Sequence, residues 1–173
     1  MRKIKLAIIS LHPSYYQDKI WCKLSENNLL DVEVVYLSDV GINKNIQHEG
    51  FGTSFCWDDL LSLEKYKHIF LKNYGINNAK ALIARVNPQL FNLVRKKKFD
   101  VVLTHGYSTF SSLFVILAAK LVGARIIWRG ESTLKGDENS ASLKKRLKKI
   151  VLTKLFNACD AVMYSCTGNK EYL

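Results

Sequence analysis

Polar side chains that could perform acid–base or hydrogen-bonding chemistry follow two apolar segments in the second half of the chain. His105 comes directly after Val101–Thr104, and Arg129 and Glu131 follow Arg125–Trp128. A histidine can hydrogen-bond a ligand hydroxyl and ordinarily titrates near neutral pH. An arginine binds phosphate and carboxylate groups, whereas a glutamate accepts hydrogen bonds from hydroxyls. We therefore expect these three side chains to contact a ligand, with His105 at the centre of the chemistry.

Neighbouring loops contribute further candidates, and the main candidates also have structural interpretations. The further candidates for binding the same ligand are His12, Tyr107 and Thr167. In the structural interpretation, His105 satisfies a loop carbonyl group, and Arg129 pairs with Glu131. In the ligand-binding and the structural interpretation alike, these residues follow apolar segments that we predict below to be strands of one sheet.

The loop after the first apolar segment lacks the glycines that nucleotide phosphates require. Leu11–Ser14 contains no glycine, although a dinucleotide-binding turn needs glycines for the close approach of a pyrophosphate. A Walker loop needs glycines and a lysine, which are also missing here. The sequence therefore predicts a fold of the nucleotide-binding type without its nucleotide signature.

The cysteines do not form a metal or redox motif. No two of them have the two-residue spacing typical of such sites: Cys22, Cys56, Cys159 and Cys166. We expect them to be small buried apolar residues in a reducing compartment. We also expect the protein to use neither a metal ion nor a cofactor.

Apolar strand-like segments alternate with helical segments along the chain. The predicted strands are Ile4–Ser10, Val32–Leu37, Val101–Thr104, Arg125–Trp128 and Ala161–Tyr164. Asp58–Phe70 has no clean period and is predicted to be weakly helical. Because alternating strands and helices form parallel sheets, we predict an α/β fold with a doubly wound parallel sheet and helices on both faces. Ligands bind at the carboxyl ends of the strands in such sheets, where the candidate residues lie.

Capping residues and apolar spacing predict where the helices begin and which side faces the sheet. Ser14, Asn87 and Ser108 are the predicted N-caps of three helices, and Ser140 or Ser142 is the predicted cap of a fourth. The stripe of the first helix is Tyr16, Ile20, Trp21 and Leu24, and the helix after Ser108 has Leu113, Phe114, Leu117 and Leu121. The fourth helix, from about Leu143 to Phe156, has Leu143, Leu147, Ile150, Val151 and Leu155.

The net charge of +11 suits a nucleic acid, an anionic membrane surface or phosphorylated ligands. No acidic residue lies between Glu138 and Asp160, a range that contains the fourth helix. Its lysines predicted to face a membrane are Lys144, Lys145, Lys148 and Lys149. Since the basic residues lack interleaved aromatic residues and a known motif, we expect no binding to nucleic acid.

The hydrophobic segments are too short for insertion into a membrane. The apolar residues after Met1 are followed by His12-Pro13 without a cleavage site, so we expect a first strand and not a signal peptide. The longest uncharged apolar stretch, Tyr107–Ala119, is shorter than the ~20 residues of a membrane span. We expect a soluble cytoplasmic protein that binds peripherally to the inner face of the membrane.

An ordered set of segments in the second half resembles the N-terminal domain of glycosyltransferase family 4, also called group 1 transferases. The set comprises residues 99–106, the apolar helix ending at Gly123, residues 129–132, the basic helix, and residues 159–162 and 165–169. The order and spacing of these segments are typical of that family. The first half is similar only in its opening strand and helix. Many family members have paired glycines after the first strand, where this chain has His12-Pro13.

The resemblance implies that residues 1–173 form the Rossmann-like, acceptor-binding half of a GT-B glycosyltransferase. The implied enzyme, of hexosyltransferase type, moves a sugar from a nucleotide-sugar to a glycan, lipid-linked or small-molecule acceptor. Transfer would retain the anomeric configuration and need no metal, as part of polysaccharide biosynthesis. The resemblance places a ligand-facing histidine at His105. The nucleotide-sugar would be held mainly by a C-terminal domain that this chain lacks, so we expect the chain alone to be inactive.

Two other functional classes remain open at this point. The first is a stand-alone, flavodoxin-like binding or regulatory module, although a receiver-type regulator would need acidic residues where Leu11-His12 stand. The second is a nucleic-acid-binding protein, which only the net charge favours. Because the printed sequence stops at Leu173, early in a predicted helix, we expect a truncated sequence or gene fragment. A second α/β domain in the downstream reading frame would distinguish the enzyme from both alternatives.

Overall fold

The described part of the chain forms one six-stranded parallel sheet. A computed structural model describes residues 2–42, 61–76, 82–130 and 142–172, without the side chains of residues 142–145, 147–148 and 172. The strands are β1 (Ile4–Ser10), β2 (Leu30–Tyr36), β3 (Lys67–Phe70), β4 (Val101–His105), β5 (Arg125–Gly130) and β6 (Ala161–Tyr164). Their order is β3-β2-β1-β4-β5-β6, and every pairing is parallel. The predicted α/β, Rossmann-like fold is confirmed.

In the described ranges, five helices connect or follow these strands. They are α1 (Tyr15–Ser25), α2 (Gln89–Lys97), α3 (Phe110–Leu121), α4 (Ser142–Asn157) and α5 (Thr167–Tyr172). Short 3₁₀ turns lie at Leu63–Lys65 and Leu82–Ala84. The order reverses beside β1, because the chain adds β2 and β3 on one side of β1 and β4 to β6 on the other. Such a switch point leaves a crevice at the carboxyl ends of the central strands.

One face of the sheet packs against α2, α3 and α4. Alternate residues of the central strands, such as Ile9, Val102 and Trp128, contribute to a core that is almost completely buried. The helices contribute Leu90, Val94, Val115, Ile116 and Ala119, with Leu155 and Phe156 packed at the margin. The other face packs against α1 and the segment before β3, through Trp21 and Tyr66. Helices therefore cover both faces, as the alternation of segments predicts.

The buried side of α1 differs from the predicted apolar stripe. Tyr16 and Ile20 are exposed, whereas Gln17 and Asp18 are buried beside Trp21. The prediction is wrong for Tyr16 and Ile20 because the buried polar side chains make hydrogen bonds that hydrophobic spacing does not reveal. This face of α1 also borders the candidate site.

The predicted stripes of α3 and α4 are also partly wrong. On α3, Leu117 and Leu121 are exposed, whereas the small residues Ala118 and Ala119 are buried. On α4, Ile150 and Val151 are about half exposed, whereas Leu152 is buried. Leu143 and Leu147 belong to the residues whose side chains are not described. Both helices have more apolar residues than one face needs, so spacing alone does not select the face.

The edge strand β3 replaces part of the helix predicted over Asp58–Phe70. Lys67–Phe70 pairs with Glu33–Tyr36 of β2, and residues 58–60 lie outside the described ranges. The strand β3 has only four residues, and two of them are a lysine and a histidine. A search for continuous apolar segments therefore does not identify it.

Two of the predicted helix caps are wrong. Pro88, not Asn87, precedes α2, and Thr109, not Ser108, caps α3 by accepting a hydrogen bond from the Ser112 amide. Asn87 instead donates from Nδ2 to the backbone oxygens of Leu37 and Lys72. Its side chain therefore joins loops at the carboxyl edge of the sheet.

The described cysteines are less buried than predicted. Cys22 and Cys159 are partly buried, but Cys166 is exposed, and Cys56 lies outside the described residues. Of the described helices, none has the length and apolar character needed to cross a bilayer.

Candidate functional site

A cleft of about 300 Å³ lies at the carboxyl edge of the sheet, beside the ends of β1, β4 and β5. The N-terminus of α1 forms one wall. The described residues that line the cleft are Ser10, Leu11, His12, Ser14, Tyr16, Gln17, His105, Gly106 and Arg129. The site is therefore built from the loops that follow three parallel strands, where this type of sheet places its ligands.

The structure brings three of the predicted site residues together. His105 and Arg129 are register partners on β4 and β5, and His12 lines the same cleft from the loop after β1. The His12 ring donates from Nδ1 to the Pro13 backbone oxygen at 2.8 Å. These three residues therefore meet at one edge of the sheet, as their positions at the ends of parallel strands predict.

The other candidates lie elsewhere or outside the described residues. Tyr107 is not among the residues that line the cleft, and its ring stacks on Trp128 with centroids 6.2 Å apart. Thr167 is exposed at the start of α5 and does not line the cleft either. Glu131 lies in the range that the structure does not describe, so its predicted role stays a prediction. Tyr107 is better explained by packing, because it covers the buried indole.

His105 is held between α1 and the sheet. Its Nδ1 atom lies 3.3 Å from Gln17 Nε2, and its ring makes an edge contact with Trp21 at a centroid distance of 5.6 Å. The other ring nitrogen, Nε2, is buried and has no hydrogen-bond partner among the described residues. A buried donor is unfavourable without a hydrogen-bond partner, and a ligand oxygen could accept from it.

The hydrogen bonds of Gln17 favour one position for the proton of His105. Ser10 Oγ donates to Gln17 Oε1 at 3.0 Å, which leaves the Gln17 amide nitrogen to donate to His105 Nδ1. Because Nδ1 accepts, the neutral ring carries its proton on Nε2. The imidazole therefore offers a donor to a ligand.

The His105 ring is neutral at physiological pH. Burial of the ring, together with the positive charge of Arg129, lowers the pKa of His105 to about 4. The expectation that His105 titrates near neutral pH is therefore wrong, because solvation of the imidazolium is lost in the cleft. Chemically, the residue acts as a fixed hydrogen-bond donor and is a weak base.

The turn after His105 is attached to β5 at two points. The Gly106 amide donates to the Arg129 backbone oxygen, and the Trp128 indole N–H donates to the Gly106 oxygen, both at 2.9 Å. Gly106 has φ of +68°, a conformation that favours glycine. Trp128 is fully buried, so its indole positions this turn rigidly.

Gln17 and Ser14 are site residues that sequence reasoning missed. Gln17 lies between residues of the predicted apolar stripe, and the sequence predicts only a capping role for Ser14. Ser14 does precede α1, but its side chain makes no capping hydrogen bond. The spacing of Ser10 and Gln17 on either side of a strand-to-helix turn was the available signal, and by itself it is weak.

A buried network orients α1 and with it the cleft wall. Asp18 accepts hydrogen bonds from the Tyr66 hydroxyl at 2.7 Å and the Ser62 amide at 3.0 Å. The Tyr36 hydroxyl lies 2.8 Å from that of Tyr66. Burial raises the pKa of Tyr36 to about 12 and raises that of Tyr66 further, so both hydroxyls stay protonated. The network ties α1 to β2 and to the segment before β3.

Within the described ranges, no group of three or more His, Cys, Asp or Glu side chains could hold a metal ion. The described lining of the cleft offers nitrogen and hydroxyl donors, and its described acidic neighbour Asp18 already accepts protein hydrogen bonds. The described residues therefore suit a ligand that accepts hydrogen bonds.

Comparison with known proteins gives structural similarity only. No family model matches the sequence, and no curated protein matches it. A short-chain dehydrogenase/reductase from Veillonella parvula DSM 2008 is similar with a TM-score of 0.42 and 12% identity, over 86% of this chain and 56% of that chain. S. aureus homoserine dehydrogenase has a TM-score of 0.39 and 7% identity, over 95% and 33% of the two chains. This chain therefore spans about half the length of the dehydrogenase/reductase and a third of the length of the homoserine dehydrogenase.

Proposed function

We propose that this chain is the acceptor-binding domain of a retaining GT-B glycosyltransferase. The observation that carries the proposal is the position of His105 at the carboxyl end of β4, inside the cleft, with its buried Nε2 lacking a described partner. The resemblance to glycosyltransferase family 4 assigns a ligand-facing histidine to this position. The ordered segments after Phe99 supply the second line of support.

In this proposal, the cleft binds the acceptor and contacts the transferred sugar. His105 donates a hydrogen bond from Nε2 and orients a hydroxyl group, while the low pKa keeps its ring neutral. Arg129 contacts the acceptor from the end of β5, and His12 contacts it from the loop after β1. A neutral, fixed donor aimed at a developing charge costs no reorganisation during the reaction. His105 is thus a stabilising and orienting group, and not the general base.

The nucleotide-sugar is bound mainly by a second domain outside this chain. The loop after β1 has Pro13 and no glycine, so it lacks the backbone approach used for nucleotide phosphates. Sugar transfer by this mechanism needs no metal ion. We further propose that the enzyme is cytoplasmic and that α4 binds the inner face of an anionic membrane. Arg146 and Lys149 of this helix are exposed.

The experiment is a transfer assay on the product of the complete natural reading frame. A panel of nucleotide-sugars is incubated with glycan, lipid-linked and small-molecule acceptors, and released nucleotide and glycosylated product are both measured. We expect one donor to be consumed and the product to keep the donor's anomeric configuration by NMR. Ligand binding in the cleft without transfer or donor hydrolysis would instead support the stand-alone binding module. An inverted product would contradict the mechanism.

A further inference from the structure

The N-terminus of α1 contains a buried hydroxyl without a partner. Ser14 is only 4% exposed, lines the cleft, and its Oγ has no hydrogen-bond partner among the described residues. The Gln17 and Asp18 amides bond to the Ser14 backbone oxygen, so the side chain does not perform the usual capping. A serine hydroxyl in this position can donate to a ligand, and burial without such a bond is unfavourable.

A second unpartnered polar atom lines the same cleft. His105 Nε2 carries the ring proton because Nδ1 accepts from Gln17, and no described residue accepts that proton. Two buried groups with hydrogen-bond donor capacity therefore belong to one cleft. Their common requirement is a ligand that supplies acceptor oxygens.

The electrostatics of the cleft favour a negative charge on that ligand. Arg129 lines the cleft beside His105, its register partner on β4, and places a positive charge there. The 11-residue helix α1 begins at Tyr15 and directs the positive end of its dipole toward the cleft. No aspartate or glutamate is among the described lining residues.

We infer that this cleft binds the anionic group of an acceptor, a carboxylate or a phosphate, between the N-terminus of α1 and Arg129. Ser14 Oγ donates a hydrogen bond to one of its oxygens and Arg129 supplies the opposite charge, while the neighbouring His105 Nε2 stays available to the acceptor hydroxyl. Glycine-rich loops bind anions through backbone amides, but this loop has no glycine and Pro13 has no backbone N–H. In this subsite, side chains donate the hydrogen bonds. The inference rests on the proposed function only where it calls the ligand a sugar acceptor; anion binding itself does not depend on it.

The test is an NMR titration of the 173-residue chain with three probes: sulfate, acetate and neutral methyl glucoside. Ionic strength is held constant with sodium chloride, because a protein of charge +11 attracts anions nonspecifically. The readouts are the ring nitrogens of His105 and the amides of Ser14 and Gln17. We expect saturable shifts with sulfate or acetate and none with the glucoside. Preference for sulfate indicates a phosphate-bearing acceptor, and preference for acetate a carboxylate-bearing one.

Two variants and one matched control test the assignment. Arg129→Gln should weaken anion binding about tenfold or more, and Ser14→Ala about three- to tenfold, in line with the loss of one charge-assisted hydrogen bond. Arg125→Gln removes the same charge from the opposite end of β5, where Arg125 pairs with Asp160 at the surface, and should leave binding unchanged. Thermal melts establish folding, and Ser14→Ala keeps the test open if Arg129→Gln does not fold.

Three outcomes would overturn the inference. They are the absence of saturable shifts at the cleft with either anion, equal weakening by Arg125→Gln and Arg129→Gln, and tighter binding of the neutral glucoside. The transfer assay is independent of these results. Anion binding without transfer would support the anion subsite and contradict the proposed transferase function. Transfer without anion binding would support the transferase function and contradict the subsite.

Discussion

At the scale of single residues, the environment of His105 determines its chemistry. A histidine in a strand-terminal loop would ordinarily change charge near neutral pH. Here Trp21 and Gln17 enclose the ring, and burial with the charge of Arg129 lowers its pKa to about 4. The ring is therefore a neutral donor across the pH range in which most enzymes work.

The first prediction concerns the pH dependence of stability. The pKa of His105 is about 4 in the folded state and about 6.5 in the unfolded state, so the unfolded chain binds more protons between these values. The stability that comes from the neutral ring is complete above about pH 6.5 and is lost as the pH falls to about 4. We expect His105→Gln to reduce the loss of unfolding free energy between pH 7 and pH 4 by about 3 kcal/mol.

Urea denaturation of both proteins at several pH values measures this difference. Between pH 7 and pH 8 the unfolding free energies of the variant and the wild type should change with pH in the same way, because His105 is neutral in both states of the wild type. This range is the internal control. Parallel curves from pH 7 to pH 4 would mean that His105 is not buried as a neutral ring. In that case an NMR titration of the His105 ring would give a pKa near 6.5 in the folded protein.

At the scale of elements, the orientation of α1 depends on a buried polar network. The Tyr66 hydroxyl donates to the Asp18 carboxylate and lies beside the Tyr36 hydroxyl, and all three residues are buried. Since Gln17 is the neighbour of Asp18, this network also sets the position of the amide that contacts His105.

The second prediction tests that network by removing one hydroxyl. Tyr66→Phe leaves Asp18 with one fewer donor and Tyr36 without its acceptor, so we expect a loss of about 2–3 kcal/mol in unfolding free energy. Tyr74→Phe is the matched control, because Tyr74 is 62% exposed, and should change stability by less than about 0.5 kcal/mol. Chemical denaturation compares the two. Equal effects would show that the network does not stabilise α1.

The third prediction concerns the basic helix α4 and anionic lipids. Lysines near such a surface contribute about 1 kcal/mol each, and salt weakens the attraction. We expect the wild type to sediment with anionic vesicles at low salt, and much less with neutral vesicles or at high salt. Replacing Lys144, Lys145, Lys148 and Lys149 by glutamine should reduce this binding at least about tenfold.

The matched control neutralises four charges on and just after another helix, Arg95, Lys96, Lys97 and Lys98 of α2 and its C-cap. This variant has the same net charge as the α4 variant and should keep most of the vesicle binding. If both variants lose binding equally, net charge and not α4 attracts the lipid. Equal binding to anionic and neutral vesicles would also contradict the prediction.

The strands could be predicted from the sequence better than the helix faces. Apolar segments such as Ile4–Ser10 were predictable because the second half of this strand, Ala7–Ser10, is buried on both faces. The face of α1 was not predictable, because Gln17 and Asp18 are buried by hydrogen bonds to residues distant in sequence. The strand β3 was missed since an edge strand needs only one paired side and tolerates polar residues such as His68.

At the scale of the whole molecule, the strand order explains how much of the site was predictable. Parallel strands bring the loops after β1, β4 and β5 to one edge, so the meeting of His12, His105 and Arg129 follows from the topology. The contributions of Ser14 and Gln17 depend on the rotation of α1, which spacing did not reveal. Tyr107 was misplaced because adjacency in sequence does not determine which way a side chain points.

The fourth prediction follows from the division of labour in the proposed enzyme. The chain by itself should neither bind a nucleotide-sugar tightly nor transfer a sugar, because the loop after β1 lacks a phosphate-binding glycine. Calorimetry against a panel of nucleotide-sugars measures this directly, with sulfate as the reference ligand of the cleft. Micromolar affinity of this chain for any nucleotide-sugar would contradict the prediction and place the donor site in this domain.

The central claim is that His105 contacts the reacting groups of a glycosyltransferase, and its substitution tests that claim most directly. In the complete enzyme, His105→Ala should lower kcat/KM for transfer at least about a hundredfold, since a buried donor at a developing charge is lost. His68→Ala on the edge strand β3, outside the described lining of the cleft, is the matched control and should retain activity. Thermal melts verify that both variants fold. Transfer within a few-fold of wild type by folded His105→Ala would show that the residue is structural and contradict the account.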